Sequence, residues 1–151
     1  MKLPAEKNSK CYVCGPENAL GLRVPFAPHG EQGSIARYTA RPEHGGWNGI
    51  LHGGVTFALM DEAFGWALYF QGLPAVTARV ETRFHKPIAI GTDIAVCAWV
   101  VKQQRRFFGL RAEIRTEDAA QTLLAEADAT MYLVRDERSN STEESHARHA
   151  A

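Results

Sequence analysis

The chain has 151 residues with 17 basic and 17 acidic side chains, a length suited to one domain with a substantial core. Its formal net charge of zero excludes bulk electrostatic binding to nucleic acid or to an anionic membrane. No uncharged apolar run reaches the roughly 20 residues of a membrane span, and the start Met1-Lys2-Leu3-Pro4-Ala5-Glu6-Lys7 lacks an apolar signal core, so the chain reads as cytoplasmic.

Taken in order, residues 1–10 are polar and are expected to be loose. The opening that follows is rich in turns, with Gly15-Pro16, Gly21 and the short apolar run Leu22-Arg23-Val24-Pro25-Phe26. Cys11-Tyr12-Val13-Cys14-Gly15 has zinc-knuckle spacing, but a closed four-ligand site needs two more ligands and no second Cys pair exists. His29 and His44 are the candidates to complete it. Neither a metal nor a cofactor is expected. Three cysteines cannot all pair within the chain, and Cys97, inside a strand, is expected to be a small buried apolar residue. Gly33 to Ala40 alternates as a strand does, and Arg41 to Gly49 is a glycine-rich loop suited to the wall of a pocket.

From Val55 to Phe70 apolar residues fall on nearly every side of a helical wheel, which predicts a helix buried all round. Its only charges are Asp61 and Glu62. Adjacent helical residues point about 100° apart, so the two carboxylates cannot share one route to solvent, and at least one is expected to be buried. Asp61 shares its face with Gly54, Phe57, Ala58, Phe64, Gly65 and Leu68, where glycines at both ends leave room for another molecule. Glu62 lies nearer Val55, Leu59, Trp66 and Tyr69. A carboxylate among apolar residues must be paired, hydrogen-bonded or raised in pKa, and such groups concentrate at functional sites. A satisfied core acid is the alternative reading of Asp61.

His52-Gly53-Gly54 precedes this helix. Its glycines admit a ligand close to the backbone, and the first helical amides point at the positive end of the dipole, ready for a carbonyl oxygen gaining negative charge. Gly53 and Asp61 are eight residues apart, roughly 12 Å along the axis. One small reacting group cannot touch both within a single chain. If both serve one reaction, two antiparallel copies of the helix must share the site across a two-fold axis.

Four strand-like runs follow the helix: Ala75–Lys86, Asp93–Lys102, Phe107–Thr116 and Thr122–Val134. In the first, Val76, Ala78, Val80, Thr82 and Phe84 share one face, and the second and third read as a hairpin around Gln103-Gln104-Arg105-Arg106. Residues 135–151 are charged and serine-rich without large apolar residues, and are expected to form a disordered tail beyond a single domain over 1–134. One buried helix followed by an antiparallel meander is an α+β layout in which a curved sheet wraps the helix.

Three segments carry a resemblance: Cys11-Tyr12-Val13-Cys14-Gly15 with Leu20-Gly21-Leu22; Trp47-Asn48-Gly49-Ile50-Leu51-His52-Gly53-Gly54 through Asp61-Glu62-Ala63; and Phe84-His85-Lys86-Pro87 with Gly91-Thr92-Asp93. From Cys11 to Val134 the chain resembles the hotdog-fold acyl-CoA thioesterases of the phenylacetic-acid-degradation (PaaI-like) type. The resemblance implies an antiparallel sheet wrapped around one long central helix, and a homodimer, or a homotetramer built as a dimer of dimers. It implies hydrolysis of an acyl-CoA thioester to a carboxylic acid and CoA, with CoA as part of the substrate and no separate cofactor. The essential acid falls on Asp61, as general base or as nucleophile, and the amide of Gly53 polarises the thioester carbonyl, with Gly54 beside it against the substrate. His52 orders the loop rather than transferring a proton.

Two departures from the family pattern stand out. Where some relatives place an oxyanion Asn six residues before the His, this chain has Gly46, and Asn48 is the substitute on offer, or else a turn residue. A hydroxyl that positions the attacking water in relatives aligns with Thr77, which strict alternation places opposite Val76 and Val80; an ordinary strand threonine is the other reading. Lys102, Arg105 and Arg106 cluster near a hairpin turn, where they can meet the phosphates of CoA or simply be solvated. Trp47, Phe57, Phe64 and Trp66 are candidates for the acyl site, or core. A hotdog dehydratase or hydratase is a second enzyme reading, though His52 and Asp61 stand about 13 Å apart along the helix. A non-catalytic acyl-CoA-binding dimer is the third.

Overall fold

In the computed structural model, which describes residues 6–134, the apolar stretch after His52 forms one helix, α1 (Gly53–Tyr69). Its buried residues are Val55, Thr56, Leu59, Met60, Ala63, Phe64, Ala67 and Leu68, a repeat of three and four that marks one stripe. The helix is therefore not buried all round. Phe57, Asp61, Glu62, Trp66 and Tyr69 lie outside the stripe with partial exposure. The two carboxylates leave it on opposite flanks, as their spacing requires.

Six strands form one antiparallel sheet: β1 (Phe26–His29), β2 (Gly33–Thr39), β3 (Ala75–Phe84), β4 (Asp93–Gln104), β5 (Phe107–Thr116) and β6 (Leu123–Leu133), in the order β1-β2-β4-β5-β6-β3. The meander expected from β3 onward is corrected here. Of the four strands after the helix, only β4, β5 and β6 are consecutive neighbours, while β3 crosses to the far edge and pairs with β6. Strand β1 lies in a stretch that reads as loop because Pro25 and Pro28 punctuate it. An edge strand tolerates proline, which cannot donate to a ladder on both sides, and β1 is an edge. The β4–β5 turn is tighter than expected: Gln104 pairs with Phe107, so only Arg105 and Arg106 connect the strands.

Alternate residues of the strands face α1. Ile94, Val96 and Ala98 of β4, Leu110, Ala112 and Ile114 of β5, and Ala125, Ala127, Ala129 and Met131 of β6 are all buried. The alanines let the helix approach closely. Ser34 of β2 is fully buried, and its hydroxyl donates to the carbonyl oxygen of Ala63 at 2.7 Å, which removes the cost of burying it. Burying Leu59, Phe64 and Leu68 completely contributes about 1.5–3 kcal/mol each. The architecture is the α+β hotdog expected from the sequence: one long helix held in a curved antiparallel sheet. Cys97 departs from expectation, because it alternates out of phase with Val96 and Ala98 and sits half-buried on the outer face of β4. The tail expected over 135–151 lies outside the described residues. No helix among the described residues is long and apolar enough to cross a membrane.

Candidate active site

The loop before α1 is stitched down at both ends. Ile50 donates to the carbonyl of Trp47 at 2.9 Å across a turn that places Gly49 at a φ of 75°, a conformation glycine adopts without strain. Leu51 and Ile90 then bond across to Ile88 and Gly49, tying this loop to the segment after β3. Behind it, His44 meets the Tyr38 hydroxyl at 2.6 Å and an Arg41 nitrogen at 3.4 Å. Arg41 only donates, so the neutral His44 ring carries its proton on Nδ1 and gives it to Tyr38 Oη. Burial first, and the Arg41 charge second, hold the His44 pKa below its ordinary value. The His44 carbonyl in turn accepts from the His52 amide at 3.0 Å. His44 was a candidate metal ligand; its part here is to anchor the loop.

His52 is the N-cap of α1. Its Nδ1 accepts from the Gly54 amide at 2.8 Å, and its carbonyl accepts from Val55 and Thr56 at 2.9 and 3.1 Å. Among the described residues that leaves the Gly53 amide without an acceptor, at the positive end of the helix. Gly54 is thereby committed to the cap, while Gly53 is free to donate. A Cβ on Gly53 would touch only the Phe84 ring, at 3.7 Å, and clefts of about 470 and about 530 Å³ open on Gly53, walled by Trp47, Leu51 and, in the first, Phe84 and Pro87. A Cβ on Gly46 would lie 3.1–3.4 Å from His52, so a side chain there requires His52 to give by a few tenths of an ångström. Asn48 occupies an exposed position in the Trp47–Ile50 turn.

Asp61 points from the opposite flank toward edge strand β3. Thr77 Oγ1 donates to Asp61 Oδ1 at 2.7 Å. Strict alternation placed Thr77 on the wrong face for this contact, and a bulge corrects it. Thr77 pairs with Met131 but Arg79 with Thr130, so Ala78 is the extra residue and the side-chain phase shifts by one. Thr77 consequently shares the helix-facing side with Val80, Thr82 and Phe84, opposite buried Met131, Ala129, Ala127 and Ala125.

The structure thus joins Asp61 to Thr77, and His52 to Gly53 and Gly54, but the two groups remain eight helical residues apart, roughly 12 Å in one chain. The three cations diverge. The Lys102 stem covers Gly109 on the sheet face away from α1, Arg105 is exposed in the turn with a φ of 55°, and Arg106 donates to Tyr132 Oη at 3.1 Å. Of the aromatic candidates, Phe64 is fully buried core, Trp66 stacks on Phe26, and Trp47 is 87% exposed and Phe57 38%. Phe84, beside Gly53, is a cleft residue that the sequence offered only as one member of an alternating strand.

The comparisons fit this geometry. The thioesterase superfamily model matches residues 48–122, from the loop before His52 through β5. Acyl-coenzyme A thioesterase 13 of Homo sapiens is 30% identical over 101 residues, covering 66% of this chain and 71% of that protein. Among solved structures, a thioesterase superfamily protein aligns with a TM-score of 0.73 at 26% identity, over 80% of this chain; the chain spans 61% of that structure's length. A variant of the phenylacetic acid degradation protein PaaI from Thermus thermophilus aligns with a TM-score of 0.68 at 26% identity, over 75% of this chain and 95% of that one. The chain belongs to the thioesterase superfamily, a family of thioester hydrolases, and shares the hotdog fold of its relatives.

Proposed function

We propose that this protein hydrolyses an acyl-CoA thioester to a carboxylic acid and CoA, in a site shared between two subunits of a homodimer. The observation that carries the reading is the Thr77–Asp61 hydrogen bond, made possible by the bulge at Ala78. It holds one carboxylate oxygen and leaves the other to attack the thioester carbonyl or to take a proton from the attacking water. The carbonyl oxygen gains charge as the tetrahedral intermediate forms, and the uncommitted Gly53 amide of the second subunit receives it. Collapse breaks the carbon–sulfur bond and releases CoA thiolate; where Asp61 is the nucleophile, water then hydrolyses the acyl–Asp61 anhydride to free the carboxylic acid.

The subunit sharing rests on distance. An oxyanion donor roughly 12 Å from the acid serves it only if a second, antiparallel helix supplies the donor. Thr77 and Phe84 belong to β3, which Asp61 of α1 faces, and among the described residues the outer side of this edge strand has no ladder partner, which is where a second copy would pair. Lys102, Arg105 and Arg106 are offered as contacts to the CoA phosphates on the strength of their charge, with Lys102 and Arg105 exposed and Arg106 half-buried against Tyr132, and exposed Asn48 is offered as a second oxyanion donor.

The decisive experiment is thiol release from a panel of acyl-CoA esters by wild type and Asp61→Asn together. The expected outcome is wild-type turnover that the variant loses while it keeps its fold and binds the ester. Full activity in Asp61→Asn would remove Asp61 from the mechanism. No hydrolysis of any ester by folded wild type would leave a binding module.

A further inference from the structure

On the flank of α1 opposite Asp61, the Cys11–Gly15 turn packs against Glu62. Ligand atoms of Cys11, Cys14 and Glu62 all lie within 4.8 Å of one another. The Cys14 amide donates to Cys11 Sγ at 3.4 Å, which fixes that sulfur within the turn. The turn is built for this shape: a Cβ on Gly15 would lie 2.4–2.6 Å from backbone atoms of Cys11 and Ser9, so only glycine closes it. It is also pinned, because Leu22 and Val24 donate to the carbonyls of Tyr12 and Val13 at 2.8 and 2.9 Å, with Val13, Leu22 and Val24 buried. Two thiols and a carboxylate from separate elements are held together before any ligand arrives.

We propose that Cys11, Cys14 and Glu62 bind one thiophilic divalent cation of the zinc class. Two sulfurs and one oxygen suit that ion and leave a fourth position open. Binding transfers no electrons: two thiol protons pass to solvent while two metal–sulfur bonds and one metal–oxygen bond form. Three negative charges then face the dication and the ammonium of Lys7, which already sits 3.1 Å from Glu62 Oε1 and balances the remainder. Cys14 also lines a cleft of about 620 Å³ with Lys7, Arg23 and Trp66, which provides the entry path. Neither histidine offered by the sequence completes the set: His44 is bound to Tyr38, and His29 lies on the outer face of the sheet beside Arg37 and Cys97. Glu62, hidden from a spacing argument by its distance along the chain, supplies the third ligand.

The test uses the full chain, reduced and stripped with a chelator, then titrated with Co(II) alone and afterwards with Zn(II). The expected result is one Co(II) per chain with thiolate-to-cobalt charge-transfer absorption, displacement by Zn(II), and a melting temperature that rises with free Zn(II). Cys14→Ser and Glu62→Gln should each lose stoichiometric uptake, and Cys97→Ser should retain it. The wild-type absorption is read independently of how well the variants fold. Absence of the charge-transfer band overturns the proposal, as does a band that survives in Cys14→Ser or disappears in Cys97→Ser. Formation of a Cys11–Cys14 disulfide by protein that takes up no Co(II) when reduced would also overturn it. None of these readouts depends on thioesterase activity.

Discussion

At the scale of single residues, Gly53 offers an unusually clean test of oxyanion stabilisation. It is the first residue of α1, the one helical position where proline is welcome, and His52 before it is already extended at φ −61° and ψ 132°, as a residue preceding proline must be. Gly53→Pro therefore deletes one N–H and little else. Its Cβ meets only the Phe84 ring at ordinary contact distance. Turnover is expected to fall about 10²–10³-fold, with the circular dichroism spectrum and urea midpoint close to wild type. Thr77 is tested by Thr77→Val, which keeps the shape and the strand propensity but removes the donor to Asp61. A hydrogen bond to a charged group contributes about 1.5–3 kcal/mol, so kcat should drop roughly 10- to 100-fold, and Thr77→Ser should restore most of it. Equal rates in Thr77→Val and wild type would return Thr77 to the status of an ordinary strand residue.

Among the elements, β3 carries the most information per residue. Ten residues long and, among the described residues, paired only with β6, it would present Thr77 to the side away from α1 if its ten residues alternated without interruption. The extra residue at Ala78 rotates the first three positions into place. Deleting Ala78 should leave Thr77, Arg79 and Val80 in regular register against Met131, Thr130 and Ala129, with Thr77 still facing Asp61, so turnover should stay within a few-fold of wild type and well above that of Thr77→Val. A folded variant that loses turnover as Thr77→Val does would show that more than the register of Thr77 against Met131 is needed to position the hydroxyl. The loop from Arg41 to His52 is organised in the same way, by contacts distant in sequence. Its anchors are Tyr38 of β2 on one side and the Ile88 and Ala89 segment on the other.

For the whole molecule, the question is how one reaction uses groups roughly 12 Å apart on one helix. The shared-site reading makes a quantitative prediction. Asp61→Asn and Gly53→Pro chains, each inactive alone, should regain about a quarter of wild-type activity after statistical subunit exchange, because half the dimers are mixed and each mixed dimer contains one intact site. Activity that stays at the level of the separate variants after verified exchange would place both groups in the same subunit. The β4–β5–β6 side of the sheet contributes scaffold to this arrangement. Its outer face is polar, with Arg111 paired to Glu126 and Asp128.

How much of this was legible in the chain depends on the range of the forces involved. The helix, five of the six strands and the pairing of an acid with a glycine-headed helix start follow from local periodicity and from the missing hydrogen-bond partners of a helix terminus. Both are properties of neighbouring residues. Strand β1 escaped because Pro25 and Pro28 suppress local strand signals, and only pairing with β2 rescues it. The position of β3 beyond β6 escaped because strand order is a matter of long-range pairing. The face presented by Thr77 could not be read from alternation, since the bulge at Ala78 exists only in its register against β6. The same holds for Glu62, whose meeting with Cys11 and Cys14 is decided by how an N-terminal turn docks on α1. The sequence by itself determined the family, the long apolar helix and the stretch in which an acid follows a glycine-headed helix start. The tertiary structure alone decided which side chains touch, because a one-residue shift in pairing reverses every side chain in a strand.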